Sequence, residues 1–451
     1  MAQLEPTDGI SEDMTSVLTS ASPDESSAPT SPGVANFDDW TGGRNVAAIG
    51  TNAGSNTIPF QTWKRFKEAF APELVREAVT RSPIPVQSLL DPFGGSGTSA
   101  LAAQFLGVHP VTVEVNPYLA DLIEAKLTSY RAEALRVDLD EVLARASLSS
   151  SVNERLLPAT FVEPGVKDRY LFNREVAREV AALNDATDGL TDPASARFFR
   201  VALSGVLLDF CNARVNGKGR RYRGNWQKLN HTAESLRSAF AGHARAMIEE
   251  VTLLGRRSHM GFDVRLGDSR HVDLDGVDVD LVVFSPPYPN SFDYTDVYNI
   301  ELWMLGYLRE WSQNGDLRNS TLTSHVQVSR QFASAPPGSA ILESTLEQMQ
   351  LRREDLWDSR LPEMVAGYFA DLWAVIDRTS AVLKSGGQIW MVVGDSRYST
   401  IDVRVADILA ELAPSRGLEV SEVRAFRSMR ASPQQGGRAE LLETLLVLQK
   451  S

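Results

Sequence analysis

The sequence predicts an α/β protein built on a doubly wound sheet. Three observations carry this. Short apolar runs alternate with helix-patterned stretches. One such run opens into the glycine-rich turn Asp91-Pro92-Phe93-Gly94-Gly95-Ser96-Gly97-Thr98, and another opens into the proline turn Ser285-Pro286-Pro287-Tyr288.

Taken in order, residues 1–43 hold eight carboxylates, no Lys or Arg, and few aliphatic side chains. Such a stretch cannot bury enough surface to offset its ordering entropy, so a disordered acidic tail is expected. Trp63, Phe66 and Phe70 lead to Leu74 and Val75, with Pro72 placed to start a helix. Val86–Leu90 is a strand, Ser99–Leu106 a helix stopped by Gly107, and Val111–Val115 a β-branched strand. Together these make one β-turn-α-β unit within 44–128. Residues 129–259 are mostly helical in pattern and far exceed a simple crossover, so a helical insertion is expected there. From 260 to 451 the strands resume: Phe262–Leu266, Val279–Phe284, Gln388–Val393 after a helix over 363–383, Leu418–Val423 and Glu443–Leu448.

Bulk properties set outer bounds. With 451 residues, 43% apolar and 23% charged, the chain can bury a large core. No apolar stretch reaches the roughly 18 residues of a membrane span, and no basic-then-apolar leader opens the chain. Cys211 is the only cysteine. It excludes an internal disulfide and a Cys-based zinc site, and fits a cytoplasmic, nucleoid-associated location. The net charge of −13 argues against a nucleic-acid partner only until its distribution is seen, because much of it sits in the first 43 residues and local patches decide phosphate contact.

The first turn lacks the Gly-Lys-Ser/Thr ending of a nucleotide-triphosphate loop. Its glycines allow close backbone approach, and Asp91 at the strand's carboxyl edge suits an ammonium or sulfonium rather than a phosphate. Glu114 ends the next strand, nineteen residues after Gly95, where a carboxylate can accept from ribose hydroxyls. Asp268, after a third strand, could accept from an adenine amine, or simply shape a turn before Ser269-Arg270. A ligand-free glycine turn and solvated strand-end acids are the plain alternatives.

The second turn has two prolines that fix the backbone and remove two N–H donors. What remains is rich in acceptors, suited to a substrate NH₂ whose lone pair is delocalised into a ring. The Ser285 hydroxyl and Pro286 carbonyl would localise that lone pair, and Tyr288 would stack on the base. Stacking returns about 1–3 kcal/mol against a base-extrusion cost of a few, so further contacts are required. Arg214, Lys218, Arg220, Arg221, Arg223 and Lys228, with Tyr222 and Trp226 interleaved, read as a mobile loop for phosphate contact and stacking, or as a solvated basic loop. Arg318–Arg330 is a weaker candidate of the same kind. Phe292, Tyr294 and Tyr298 fit a base pocket and a helix core equally, and Asp395 fits a substrate contact or a turn. Cys211, in an apolar helical context, reads as inert, which argues against chemistry through a thiolate nucleophile.

These residues resemble the motif set of the amino-methylating, S-adenosyl-methionine-dependent DNA methyltransferases. Asp91–Thr98 is similar to their cofactor motif and Ser285–Tyr288 to their catalytic motif. The resemblance implies a Rossmann-like, seven-stranded class I methyltransferase sheet with a helical insertion. It implies a cofactor half over 44–128, a catalytic half over 260–451, and target recognition by 129–259. It places S-adenosyl-methionine against Asp91, Pro92, Phe93, Gly95, Gly97, Thr98, Glu114 and Asp268. Residues 63–72, including Phe70 and Pro72, would cover the methionine end. Double-stranded DNA would be the partner, its base flipped onto Ser285, Pro286, Pro287 and Tyr288, with Arg220, Arg221, Arg223 and Trp226 on the DNA and no metal required. The Ser-Pro-Pro-Tyr form is linked in that family more to cytosine-N4 than to adenine-N6. An RNA base methyltransferase and a cofactor-binding module without catalysis remain as alternatives. A restriction nuclease or other defence partner is compatible with this reading.

Overall fold

In the computed structural model the described residues are 33–46, 49–52, 54–66, 69–147, 157–215, 220–290, 293–328, 330–430 and 440–451. Residues 33–43, expected to belong to a disordered tail, are instead folded. Helix α1 (Phe37–Thr41) is capped by the Asn36 side chain, which accepts from the Asp38 and Asp39 amides. Trp40 is 1% exposed and stacks on Phe105 at 4.8 Å. Two aromatic anchors inside an acidic run outweigh its average composition. Residues 1–32 lie outside the described residues.

The chain then runs through α2 (Pro72–Arg81), β1 (Ser88–Asp91), α3 (Thr98–Phe105), β2 (His109–Glu114) and α4 (Pro117–Leu127). Pro72 and Pro117 each sit in a first helical turn, where a missing N–H costs nothing. Between β2 and the next sheet strand lie α5 (Ala132–Ala146), α6 (Arg174–Asp188), α7 (Pro193–Leu207), a hairpin of β3 (Ala213–Val215) and β4 (Arg220–Tyr222), and α8 (Ala233–Leu254). The expected loop at 213–228 is thus partly a hairpin, with residues 216–219, and so Lys218, outside the described residues. Then come β5 (Asp263–Leu266), β6 (Val279–Phe284), α9 (Tyr294–Val297), α10 (Asn299–Met304), α11 (Trp311–Ser320), α12 (Ala340–Leu351), α13 (Leu361–Val382) and β7 (Leu383–Gly394). A small hairpin of β8 (Ser396–Tyr398) and β9 (Ile401–Val403), α14 (Val405–Leu412), β10 (Leu418–Arg430) and β11 (Glu440–Lys450) follow.

The main sheet has seven strands in the order β10-β11-β7-β6-β1-β2-β5. β7, β6, β1, β2 and β5 are parallel, and β11 and β10 continue antiparallel. Side chains alternate between two cores, as a sheet covered on both faces requires. Leu89, Leu281, Val283, Trp390, Val392, Leu445 and Val447 face the side of α2–α8. Leu90, Val282, Phe284, Ile389, Met391, Val393, Leu446 and Leu448 face α13 and α14. The helices between β2 and β5 share the first core with the sheet, so they form part of its wall. No helix among the described residues is long and apolar enough to cross a membrane.

From β1 the chain moves outward to β2 and β5, then returns to place β6 on β1's other side. That reversal leaves a crevice at the carboxyl ends of β1 and β6, where open α/β sheets bind ligands. Leu90 pairs with Val282, so Asp91 and Ser285 leave adjacent strand ends.

Candidate active site

The loop after β1 is built for backbone proximity. Gly95 and Gly97 have φ of +54° and +78°, a region that L side chains avoid. Gly94 is required for another reason, since a Cβ there would lie 2.4 Å from Thr112 Cγ2 and 2.7 Å from Ile123 Cδ1. Asp91 is buried, accepting from the Phe93 amide at 2.9 Å and from the Ser99 hydroxyl. Glu114 accepts from the Gly95 amide at 2.7 Å and the Asn116 amide at 2.8 Å. The strand-end acids therefore shape the loop directly.

Burial raises Asp91 to about 6 and Glu114 to about 7, the latter pushed further by the charge of Asp91. Among the described residues no Lys or Arg pairs with either. Two buried acids short of positive charge fit a cationic ligand bearing an ammonium and a sulfonium. The residues present therefore suit S-adenosyl-methionine better than a phosphate-bearing nucleotide.

Two expected cofactor contacts sit elsewhere. The ring that reaches Gly95 belongs to Phe66, 3.3 Å from where a Gly95 Cβ would lie. Phe70 is packed in the core and Pro72 opens α2. Residues 67 and 68 are outside the described residues. Asp268 is held by Arg270, whose guanidinium donates at 2.6 to 3.1 Å and whose amide donates at 2.9 Å. Arg270 also pairs with Asp371 at 2.8 Å. Of the two readings of Asp268, its geometry matches the turn acid. Its neighbour Ser269 donates to the Pro92 carbonyl, tying the β5 loop to the glycine loop.

The second turn meets the first. Phe93 packs on Phe284, the residue before Ser285, with ring centres 5.4 Å apart. The Ser285 hydroxyl donates to the Val392 carbonyl at 2.9 Å, which leaves its oxygen as an acceptor. The Tyr288 hydroxyl donates to Glu443 at 3.1 Å. Tyr398 donates to the Pro289 carbonyl at 2.5 Å. Glu443 is 3% exposed on β11, opposite Gly394, and no local motif marks it in the sequence. Asp395 accepts from the Val405 amide at 2.9 Å and is raised by burial to about 6, the geometry of a turn acid.

Two further expectations resolve nearby. Cys211 is buried and its thiol is pushed up to about 12, in keeping with an inert residue. Tyr298 is buried, with its ring stacked on Phe66 at 5.7 Å, while Phe292 is outside the described residues.

No family model matches the chain. The type II methyltransferase M.AvaI, from a Nostoc strain and from Anabaena variabilis, is 24% identical over 394 residues, spanning 81% of this chain and 80% of the relative. The type II methyltransferase M.BsoBI of Geobacillus stearothermophilus is 22% identical over 445 residues, spanning 86% and 85%. The chain is thus similar to type II methyltransferases over most of its length and of theirs. Among solved structures, the rRNA methyltransferase aviRa from Streptomyces viridochromogenes aligns over 84% of this chain and 85% of its own at 12% identity, with a TM-score of only 0.27.

The basic hairpin reaches α9, the helix that follows the second turn. Arg220 lies 3.7 Å from Asp296 on α9 and over the Phe161 ring, and Arg221 is exposed. Arg223 points the other way, donating to the Cys211 carbonyl at 3.0 Å and the Leu208 carbonyl at 2.8 Å. Trp226 packs on Tyr222 and Tyr170. Of the four expected DNA contacts, Arg220 and Arg221 present charge, while Arg223 and Trp226 build the hairpin's base. The weaker candidate stretch is structural. Arg318 pairs with Asp293, Arg330 donates to the Thr321 and Arg318 carbonyls, and His325 is buried and lowered to about 4.

Proposed function

We propose that the chain transfers a methyl group from S-adenosyl-methionine to the exocyclic amine of a flipped base in double-stranded DNA, with cytosine-N4 favoured over adenine-N6. The observation that carries the reading is the meeting of the two turns at the crevice between β1 and β6, joined by Phe93 and Phe284. The type II methyltransferase relatives support DNA as the substrate.

When bound, the cofactor supplies an electrophilic methyl on a sulfonium. The chain's own groups do the rest. Asp91 and Glu114 offer negative charge and hold the loop, Gly95 and Gly97 permit close approach, and Phe66 closes one side. Ser285 has committed its proton to Val392, so its oxygen accepts from the substrate amine together with the Pro286 carbonyl. Those bonds draw the lone pair out of ring conjugation and aim it at the methyl. Tyr288, steadied by Glu443, stacks on the base. Arg220 and Arg221 meet phosphates, and the helical region with its hairpin selects the sequence.

The test is methyl transfer from labelled S-adenosyl-methionine to DNA and to RNA, followed by mass spectrometry of the nucleosides. N4-methylcytosine in DNA is expected. Label confined to RNA would overturn the DNA reading, and N6-methyladenine would overturn the base assignment.

A further inference from the structure

Beneath the glycine-rich loop lies a lysine that the reaction as described does not use. Lys126, in the last turn of α4, is 0% exposed. Lysines are almost never buried this deeply without a carboxylate partner. Lys126 has none among the described residues. Its amine donates to the Ser96 carbonyl at 2.7 Å and to Gln61 Oε1 at 3.1 Å. Gln61 in turn donates to Thr98 Oγ1 at 3.2 Å, and Thr98 lies 3.1 Å from the Ser96 hydroxyl. The cluster therefore joins three segments: the loop, α4, and the stretch 58–66 that reaches Gly95 through Phe66.

The arrangement is costly. A methionine of similar length would fill the same space without desolvating an amine. Burial lowers Lys126 to about 7, offset in part by Glu250 of α8, the one charged group acting on it. Two donors suffice for its two partners, so the bonds survive loss of the proton. Glu250 also holds the 58–66 stretch, accepting from the Thr62 hydroxyl at 2.7 Å and the Trp63 indole at 2.8 Å. Ser96 lies between the two left-handed glycines, where the chain's own preferences fix the peptide least. An amine anchored from the core side supplies the missing constraint.

We propose that Lys126 is a positioning residue of the cofactor site. It fixes the Ser96–Gly97 peptide from below and, through Gln61, locks the covering stretch against the loop. The inference rests on the reading that this loop holds S-adenosyl-methionine.

Titration calorimetry with S-adenosyl-homocysteine on the full chain tests it, well below the melting transition and with folding checked by circular dichroism. Lys126→Met is expected to bind roughly tenfold more weakly or worse, because the Ser96 carbonyl loses its buried partner. Gln61→Leu, which leaves the amine in place, is expected to weaken binding by about threefold or more. A purely structural lysine would lower the melting temperature equally with and without ligand and leave affinity in the folded protein intact. Wild-type affinity in folded Lys126→Met overturns the proposal. If that variant does not fold, wild-type affinity in Gln61→Leu overturns it instead. Absence of binding by the unaltered chain is a separate result, which sinks the cofactor reading itself.

Discussion

On the proposed reading, Glu443→Ala should slow methyl transfer without touching cofactor binding. The perturbation removes the acceptor that holds the Tyr288 hydroxyl at 3.1 Å. Glu443 is 3% exposed, so water does not readily replace it. A hydrogen bond to a charged group contributes about 1.5–3 kcal/mol, and about 1.4 kcal/mol corresponds to tenfold in rate, so a loss of roughly ten- to a hundredfold follows. β11 is separated from β1 by β7 and β6, so the loop that would hold the cofactor is not disturbed. Tyr288→Phe deletes the other end of the same bond and should lose a similar factor. The double variant should lose no more than either single one. Glu443→Gln keeps an acceptor and should stay within about threefold of the unaltered chain. The assay is single-turnover transfer of labelled methyl to DNA, with calorimetry for the cofactor and melting curves to confirm folding. Losses that multiply in the double variant, or full activity in Glu443→Ala, refute the reasoning.

Four other outcomes are expected. Tyr288→Ala should abolish methylation yet keep cofactor affinity, and loss of that affinity in calorimetry would remove Tyr288 from the substrate side. Glu114 is raised to about 7 in the folded chain, so its contribution to stability is fully present below its unfolded value near 4.5 and is lost as pH rises through about 7. The difference in unfolding free energy between the unaltered chain and Glu114→Gln should therefore fall by up to about 3 kcal/mol over that window, and a flat difference by denaturant titration would contradict it. Gly94→Ala drives a Cβ into Thr112 and Ile123 and should cost about 1–3 kcal/mol by thermal melting, with Thr112→Ser in the same chain restoring part of it. Arg220→Ala and Arg221→Ala should each lower the salt slope of DNA binding by about one, whereas Arg223→Ala should destabilise the hairpin and shift the melting curve first.

The fold was legible because most strands of the sheet contain a short apolar run, and because the two turns carry their own stop signals. Asp91–Thr98 and Ser285–Tyr288 were visible as local strings, and so were the strand-end acids. What stayed hidden was anything decided by partners remote in sequence. Asp268 looks like a third ligand acid until Arg270, two residues on and itself paired with Asp371, is seen to hold it. Arg223 counts as positive charge in a composition, yet spends it on two main-chain carbonyls. Phe66 and Phe70 are indistinguishable as letters, and only the packing shows which ring reaches Gly95. Lys126 and Glu443 sit in ordinary helix and strand patterns, so no period or motif could single them out. Residues 33–43 failed the other way, since an average over acidic residues concealed Phe37 and Trp40.

The bonds that hold the Ser-Pro-Pro-Tyr turn are drawn from far downstream. Ser285 leans on Val392, 107 positions later, and Tyr288 on Glu443, 155 positions later. A growing polypeptide that has already released both recognisable motifs from the ribosome therefore still lacks their supports. Methylating power should switch on late in synthesis, once β7 and β11 have joined the sheet, and a fragment ending before residue 440 should carry every signature yet remain silent. On the proposed function, competence withheld until the whole sheet has closed would guard against half-made copies acting on DNA.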